Sequence, residues 1–421
     1  MSLLTYSTIL LFALFGAPIF AVMAAFALAA FSFSGVETSA VSVEIYRLAS
    51  APTILTIPLF TFAGYVLAES KAPLRLLRLS QALLGWLPGG VAIVCLFVCA
   101  FFTAFTGASG VTIIALGGLL YPILIKEGYS EKFSLGLITT CGSLGLLFPP
   151  SLPIILYGII AKVDIDSLFL AGLGPGVLLM VILGGYSVVM ARASKEEPRR
   201  FSLKELGGAL WEARYELPLP VFVLGGIYGG LVTATEASAL SAFYALVINC
   251  FVTRDISPTK DLPKVIVESL TLVGAILLIL CCALGLTNYL VDEEVPMKIL
   301  EAMRTLITNK WVFLLVLNVF LLVVGCLMDI FSAIIVVVPL ILPIAEQFGV
   351  NPLHLAIVFL TNLEIGYITP PVGINLFISS FRFNRPVLEL YKVSLPFLFL
   401  MVVALLIITY IPWLTLFWFS S

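Results

Sequence analysis

Helix-breaking residues recur inside the apolar sequence of this chain at a constant offset of 221 residues. Six positions agree without a gap: Gly64 and Gly285, Pro122 and Pro343, Gly128 and Gly349, Gly145 and Gly366, Pro149 and Pro370, and Pro150 and Pro371. Proline removes a backbone donor and clashes with the preceding helical turn, so the paired prolines interrupt both stretches in the same way. The pattern predicts two copies of one broken-helix unit.

Composition places the whole chain in a membrane. Hydrophobic residues make up 61% of the 421 residues, and charged residues only 11%. A soluble domain with this balance could not cover its surface with polar groups. We therefore predict an all-α polytopic membrane protein without a soluble domain of any size. The sequence has no basic face with interleaved aromatic residues, so we expect no nucleic-acid binding.

Two apolar segments, 91–125 and 311–345, are too long for one spanning helix and too short for two. A helix needs about 20 residues to cross roughly 30 Å of hydrocarbon. Each segment would supply two arms of about 15 residues, and such an arm reaches only ~22 Å. We predict two re-entrant hairpins with apices at residues 106–110 and 325–329.

Each predicted hairpin is followed by a 30-residue apolar segment, 132–161 or 352–381, with the Pro-Pro pair near its middle. We predict two half-helices joined by unwound backbone in each segment. Unwound backbone at that depth is tolerated only where it is buried in protein or lines a cavity. A simple proline kink is the alternative for one segment alone. Recurrence in both segments favours broken helices, which secondary transporters use to bind ions and substrate.

The remaining apolar segments predict further helices. Residues 3–33 predict a single first transmembrane helix, and others are predicted at 53–69, 168–191, 217–233, 236–252, 265–290 and 393–419. Stretches 73–79 and 296–304 begin at proline and alternate apolar and basic residues with helical spacing. This is typical of amphipathic helices in the membrane interface, which here would be arms that carry the hairpins. Connecting loops with a helical turn are the alternative.

Lysine and arginine mark the predicted cytoplasmic side. Basic residues concentrate near 71–78, 126–132, 192–204, 254–264 and 382–385, whereas acidic residues concentrate near 37–44, 164–166 and 292–294. This arrangement places the first hairpin on the cytoplasmic side and the second on the outer side, so the repeats are predicted to be inverted. Lys298, Arg304 and Lys310 are exceptions to the pattern.

Catalysis is not supported, because the lone histidine, His354, has no partner for a catalytic relay and no lysine lies inside the membrane segments. We therefore predict no enzymatic activity. Embedded acids cost about 2.5–3.5 kcal/mol each on insertion scales and so mark functional positions. Asp329 and Glu364 either help to hold a cation or accept backbone donors at a half-helix N-terminus. Glu236 is interpreted as a first-turn residue of a helix capped by Thr233.

Oxygen-bearing side chains concentrate at the predicted apices and breaks. Sodium binds to such oxygens and to the carbonyls that an interrupted helix frees, and Gly107, Gly145 and Gly366 would let backbone approach an ion closely. We predict two pseudo-symmetric cation sites flanking one cleft. The candidates are Thr106, Ser109, Thr112, Ser143 and Ser151 in the first copy, and Asp329, Ser332, Thr361, Asn362 and Thr369 in the second.

The substrate is predicted to lie between the two apices, where half-helix N-termini favour an anion. No arginine or lysine occurs within the hairpins or near the breaks, so we expect bound sodium and helix termini to balance an anionic substrate. The predicted substrate-binding residues are Thr106, Ser109, Asp329, Asn362 and Asn375.

The order of hairpin, Pro-Pro-broken helix, residues 229–237 and a second copy resembles the large membrane subunit of tripartite ATP-independent periplasmic (TRAP) transporters. The resemblance covers nearly the whole chain. The stretch Thr233-Ala234-Thr235-Glu236-Ala237 and the Pro-Pro segments are its most specific parts. The family usually has proline where Ala234 stands, a departure that affects only the local turn.

The resemblance implies a sodium-coupled symporter for a small organic acid, such as a dicarboxylate or sialic acid, in the bacterial inner membrane. It implies an elevator of the ion-transporter superfamily architecture, with a small four-helix membrane subunit and a periplasmic binding protein as partners and no organic cofactor. Two or more sodium sites are expected. With Gly107 added from the sequence, the predicted sodium-site residues are Gly107, Ser109, Ser143, Gly145, Pro149, Asp329, Asn362, Gly366 and Thr369.

We accordingly divide the chain into a scaffold and a transport domain. The transport domain comprises 91–161 and 311–381, and the scaffold comprises 1–90, 168–310 and 393–421, with an arm helix ending each of its first two parts. The nearest alternative is a stand-alone sodium–carboxylate symporter that needs no binding protein, against which the Thr-Glu stretch argues. An ion channel is the second alternative.

Overall fold

The computed structural model describes residues 2–34, 39–87, 89–192, 201–294, 297–298, 301, 307 and 309–419. All regular secondary structure in these residues is helical. By length and composition, eight of the described helices could cross a membrane, or up to nine if the bent pair Glu131–Leu147 and Leu152–Ala161 is counted as one span. The prediction of an all-α, multi-pass membrane protein is confirmed.

The N-terminal region differs from its prediction. A single first helix over 3–33 is wrong, because the chain turns at Gly16, whose φ is +86°, and Pro18 then starts a second helix. The helices before the first copy are α1 Ser2–Leu14, α2 Ile19–Phe33, α3 Ser39–Ala49, a 3-10 turn at Pro52–Leu55, and α4 Thr56–Glu69. Helix α3 was not predicted from the sequence.

The first copy forms the hairpin and the broken helix at their predicted places. Its elements are α5 Ala72–Leu84, α6 Gly90–Thr106, α7 Ser109–Lys126, α8 Glu131–Cys141, a 3-10 turn at Leu144–Leu147, and α9 Leu152–Ala161. The hairpin arms contain 17 and 18 residues, somewhat more than the predicted length. The re-entrant course of the hairpins therefore stays a prediction.

The middle of the chain contains α10 Ile165–Arg192, α11 Leu203–Glu212, α12 Pro218–Tyr228, α13 Ala234–Val247 with a π-helical turn at Ile248–Val252, and α14 Asp261–Asp292. Thr233 and Glu236 form a reciprocal capping box at the start of α13. This confirms the interpretation of Glu236 as a first-turn residue behind a threonine cap. Helix α11 was not predicted from the sequence.

The second copy has the same order of helices as the first. Its elements are α15 Lys310–Leu327, α16 Ile330–Gln347, α17 Pro352–Gly366 and α18 Ile374–Phe383, and they are followed by α19 Val387–Tyr410, α20 Trp413–Leu416 and a 3-10 turn at Phe417–Phe419. The C-terminal helix predicted over 393–419 begins earlier, at Val387, and ends at Tyr410, because Pro412 starts the next helix.

Helix boundaries follow the 221-residue offset. Adding 221 to the bounds of α7 gives 330–347, the bounds of α16, and adding it to α9 gives 373–382, within one residue of α18. Gly128 and Gly349, which follow α7 and α16, have φ values of +89° and +72°. Both Pro-Pro bonds are cis. The same sequence punctuation thus produces the same helical pattern twice.

Only the first predicted arm helix can be compared with the structure. Helix α5 begins at Ala72, just before Pro73, and buries Leu76, Leu77 and Leu79. The second predicted arm, 296–304, lies outside the described residues except for Met297, Lys298 and Glu301.

The two copies interlock reciprocally. Helix α7, the second arm of the first hairpin, packs against α18, the half-helix after the second break. Helix α16, the second arm of the second hairpin, packs against α9, the half-helix after the first break. The second arm of each hairpin therefore packs against a half-helix of the other copy.

Candidate functional site

The first apex and the first break are joined by a buried hydroxyl contact. The Thr103 hydroxyl lies 2.7 Å from the carbonyl oxygen of Gly142 and 2.8 Å from the hydroxyl of Thr112. Thr103 belongs to the first hairpin arm, Thr112 to the second, and Gly142 to the break. The predicted site residues Ser109 and Ser143 are both buried beside this contact. The structure thus brings the predicted first-copy apex and break together.

Two glycines of the first copy permit close backbone approach. Gly107 has a φ of +64°, and a Cβ there would lie 2.6 Å from the Cβ of Leu152. A Cβ on Gly145 would overlap the backbone of α6, lying 2.6 Å from the Cβ of Thr103. Both positions therefore require the smallest residue for packing, which is independent of any ligand.

The second apex and the second break are joined by hydrogen bonds from backbone amides and by a close backbone contact. The amide of Ile330, at the start of α16, donates to the Tyr367 hydroxyl at 2.8 Å. The amide of Gly373 donates to the carbonyl oxygen of Cys326 at 3.2 Å. A Cβ on Gly366 would overlap the carbonyl of Gly325. The second apex and the second break are therefore in direct contact, as they are in the first copy.

Asp329 caps helix α16. Its carboxylate accepts the amide of Ser332 at 3.0 Å and also the Ser332 hydroxyl. Of the two roles that the sequence leaves open for Asp329, the helix-capping role is therefore present in the structure. A carboxylate has further lone pairs after this bond, so its predicted role as a cation ligand remains compatible with the cap.

The other second-copy candidates, Thr369, Asn375 and Asn362, each form a hydrogen bond within the protein. The Thr369 hydroxyl donates to the carbonyl of Ile365 at 2.8 Å. Asn375 is fully buried and donates to the carbonyl of Thr139 in the first copy at 3.2 Å. The Asn362 amide group binds Asn318 on α15. Asn375 therefore joins the two copies, and Asn362 joins the broken helix to the hairpin.

Buried side-chain oxygens without a hydrogen-bond partner concentrate near the apices and breaks of the described chain. In these two units and their half-helices they are the Thr106, Thr140 and Tyr157 hydroxyls, the Oδ1 atoms of Asn362 and Asn375, and both carboxylate oxygens of Glu364. Buried polar atoms are nearly always satisfied, so such atoms point to an additional partner. Among the described residues, no three His, Cys, Asp or Glu side chains cluster as for a metal centre. A cation bound here would therefore be held mainly by neutral oxygens.

The two breaks differ in exposure. Pro149 and Pro150 are buried, whereas Pro370 and Pro371 are exposed. The exposed second break is tied to α19, because the Tyr391 hydroxyl donates to the carbonyl of Pro371. In this conformation the second break is thus the accessible one.

Sequence reasoning missed the residues that join these units. Thr139 of α8 lies 2.9 Å from the hydroxyl of Ser379, across the contact between the copies. Thr103 and Asn318 contact a break or a broken helix from the hairpin arms, and Tyr367 contacts the second apex from the second break. An embedded polar residue such as Asn318 is a usable signal in an apolar helix, but its partner is not visible in the sequence.

Consecutive apolar helices interrupted at paired prolines, in an all-helical membrane protein, are typical of secondary transporters. The overall fold is similar to that of the Alcanivorax borkumensis YdaH transporter, with a TM-score of 0.60 over 90% of this chain and 88% of that one at 14% sequence identity. At the level of family, residues 6–414 match the model of the tripartite ATP-independent periplasmic transporter, DctM component. The chain belongs to this family and is a transporter component, not an enzyme.

Relatives within the family have several substrates in their names. The chain is 40% identical over 366 residues to the isethionate TRAP transporter permease protein DctMQ of Oleidesulfovibrio alaskensis, covering 86% of this chain and 58% of that protein. It is 35% identical to the C4-dicarboxylate TRAP transporter large permease protein DctM of Pseudomonas aeruginosa, covering 90% and 89%. It is 32% identical to the ectoine TRAP transporter large permease protein TeaC of Halomonas elongata, covering 87% and 86%.

Proposed function

We propose that this chain is the large transmembrane subunit of a sodium-coupled symporter that imports a small organic acid across the bacterial inner membrane. The observation that carries the proposal is the reciprocal interlocking of two apex–break units, α7 on α18 and α16 on α9. Each unit places unwound backbone beside a hairpin apex, which is where secondary transporters bind ions and substrate.

Sodium is the proposed coupling ion because the unsatisfied groups are oxygens. Ser109 and Ser143 with carbonyls near Gly145 and Pro149 would serve a first site, and Asp329, Asn362 and Thr369 with carbonyls near Gly366 a second. The free Oδ1 atom of Asn362 supports the second site most directly. Gly107 would contribute by its carbonyl at the first apex.

An elevator mechanism is proposed from the same packing. Residues 91–161 and 311–381 would move as one transport domain, because the contacts Thr139–Ser379 and Thr139–Asn375 connect the two copies inside it. Residues 1–90, 168–310 and 393–421 would form the scaffold. The lysine and arginine distribution supports inverted orientation of the copies.

The proposed substrate is a small organic anion held between the apices, with Thr106, Ser109, Asp329, Asn362 and Asn375 as candidates for contact. Isethionate, C4-dicarboxylates and ectoine appear in the names of the relatives, so the class is proposed without a single member. The fold brings one basic group against the second arm of the first hairpin. Arg382 of α18 donates to the carbonyl of Ile114 on the first hairpin at 2.9 Å.

Two partners are proposed from family membership. A small four-helix membrane subunit would extend the scaffold, and a periplasmic binding protein would deliver the substrate.

Uptake into proteoliposomes tests the proposal. The chain is reconstituted with its candidate small subunit, and uptake of radiolabelled isethionate, succinate and ectoine is measured. Uptake is compared between an inward sodium gradient and choline in place of sodium. Each condition is measured with the binding protein added and with it withheld. Uptake that requires both sodium and the binding protein is expected. Sodium-driven uptake without the binding protein would indicate a stand-alone carrier, and non-saturable flux without a gradient would indicate a channel.

A further inference from the structure

A buried chain of amide and hydroxyl groups runs from the broken helix α17 to the C-terminal helices. The Asn362 Nδ2 atom donates to Asn318 Oδ1 on α15 at 2.8 Å, and Asn318 Nδ2 donates to the Thr409 hydroxyl on α19 at 3.0 Å. His354 then lies 3.2 Å from the carbonyl of Thr409 and 2.9 Å from the hydroxyl of Thr415. Asn318 is 3% exposed and Asn362 is 0% exposed.

A backbone carbonyl fixes the direction of every bond between Asn362 and Thr409. Asn362 Nδ2 also lies 2.8 Å from the carbonyl oxygen of Val358, which can only accept. The nitrogen of the Asn362 amide must therefore point towards Val358 and Asn318. Asn318 must then present its oxygen to Asn362 and its nitrogen to Thr409. A reversed Asn362 amide would place two oxygens against each other at Val358.

The remaining atom of the Asn362 amide, Oδ1, is consequently held in a buried position with no hydrogen-bond partner among the described residues. An amide oxygen has two lone pairs and accepts only hydrogen-bond donors or cations. Two separate acceptors, one of backbone and one of side chain, stop the amide from rotating to relieve this oxygen. The arrangement keeps a ligand atom oriented in advance, which is how binding sites are supported by residues outside them.

We propose that Asn318 is a positioning residue for the coupling cation, which fixes the Asn362 amide so that its Oδ1 atom serves as a sodium ligand. This inference rests on the proposed sodium coupling. Asn318 itself makes no contact with the ion in this proposal, because both of its amide atoms are occupied by Asn362 and Thr409.

A matched control is available in the scaffold. Asn249 is 1% exposed, its Nδ2 atom donates to the carbonyl four residues earlier, Ala245, at 2.9 Å, and its Oδ1 atom also lacks a partner. Its nitrogen has no side-chain acceptor corresponding to Asn318. Substitution of Asn249 therefore reports the cost of altering a buried asparagine, without the positioning effect.

Sodium affinity of the purified chain is measured from its thermal unfolding in a sodium series, with choline replacing sodium at constant ionic strength. A ligand that binds only the folded state raises the melting temperature with concentration, so the measurement needs neither substrate nor partners. Asn318→Leu removes the acceptor and should weaken sodium binding by about tenfold, roughly the effect of one hydrogen bond. Asn318→Asp keeps an oxygen towards Asn362 and should restore sodium binding to within about threefold of wild type. Asn249→Leu should leave the sodium dependence unchanged.

Unchanged sodium affinity in Asn318→Leu, beside a clear sodium response of the wild type, would overturn the positioning role alone. A wild-type chain without any sodium response would instead contradict the proposed sodium coupling. If Asn318→Leu does not fold, Thr409→Val replaces it, because Thr409 accepts the Asn318 amide and its loss should weaken sodium binding in the same direction. Wild-type affinity in Thr409→Val would then overturn the positioning role.

Discussion

Gly366 and Gly325 meet through their backbones where the second broken helix crosses the second hairpin. A Cβ on Gly366 would lie 2.5 Å from the Cα of Gly325 and would overlap its carbonyl group. In the first copy, Gly145 meets Ala104 in the same way, at positions 221 residues earlier. One of the six coincidences in the sequence therefore records a helix crossing that exists twice.

Gly366→Ala should destabilise the protein by about 1–3 kcal/mol, because the added methyl group forces two backbones apart. The apparent melting temperature in detergent is the measurement. Gly274→Ala is the control, since a Cβ on Gly274 of α14 has open space around it. Alanine there should be neutral or stabilising by up to about 1 kcal/mol. Equal melting temperatures for Gly366→Ala and Gly274→Ala would show that the crossing can relax.

Asp329 should separate into two roles under substitution. Asparagine is a good N-cap, so Asp329→Asn should keep the stability of α16 while it weakens sodium activation of uptake. Asp329→Ala should lose about 1 kcal/mol of stability as well, because the Ser332 amide loses its acceptor. Melting temperature and the sodium concentration for half-maximal uptake are measured for both variants. If Asp329→Asn had the same sodium dependence as the wild type, Asp329 would act only as the N-cap of α16 and not as a sodium ligand.

Ser109→Ala tests the first copy by the same uptake measurement. The variant should express normally and need more sodium for half-maximal uptake, because a buried hydroxyl is removed from the first apex. Full uptake at low sodium would remove Ser109 from the site.

Glu364→Gln should fold and be at least as stable as the wild type when sodium is absent. Both carboxylate oxygens of Glu364 are fully buried without a partner in the described part of the chain, so the charged form is costly and a neutral amide of similar shape removes that cost. Melting temperatures in choline buffer test this expectation. A variant that melts well below the wild type would mean that the carboxylate has a stabilising partner.

Glu216→Ala should destabilise the packing of helix α5 by about 2–3 kcal/mol. Arg75 lies 2.7 Å from both Glu216 and Asp255, and Glu216 is 2% exposed. Burial acts to lower the pKa of Arg75, but hydrogen bonds to Glu216 and Asp255 outweigh it and raise that pKa. The expected readout is a lower melting temperature.

Glu212→Ala provides the comparison for this ion cluster. Glu212 pairs with Arg78 at 2.6 Å, but the two side chains are 40% and 68% exposed. Such a pair contributes under about 1 kcal/mol. Equal effects of the two substitutions would show that burial of the Arg75 cluster adds nothing.

Sequence reasoning located the breaks and turns because their cause is local. Proline cannot continue a helix, so Pro149-Pro150 and Pro370-Pro371 interrupt their helices wherever the chain places them. The apices were predicted from the lengths of segments 91–125 and 311–345, which are also a local property of the sequence. The same rules, applied to Gly16 and Pro18, would have divided the first apolar segment, whose high hydropathy concealed the turn.

The site itself was only partly predictable, because its contacts depend on residues far apart in the chain. Asn318 and Asn362 are separated by 44 positions, and Thr139 and Asn375 by 236. Hydropathy indicates which residues lie inside the membrane, but it does not indicate which residues they contact there. Substrate binding by Asn375 and sodium binding by Thr369 therefore stay predictions, whereas the structure gives the hydrogen bonds that both side chains make within the protein.

The reciprocal packing of α7 on α18 and α16 on α9 is what a two-fold dimer shows at an isologous interface, where one patch serves both subunits. Here both subunits are halves of one polypeptide. The second arm of each hairpin packs against a half-helix that the other half supplies. Neither half therefore keeps all of its packing contacts without the other. A displacement of α7, which begins at Ser109, would disrupt its packing against Ile374–Phe383 of the other half unless the two helices moved together.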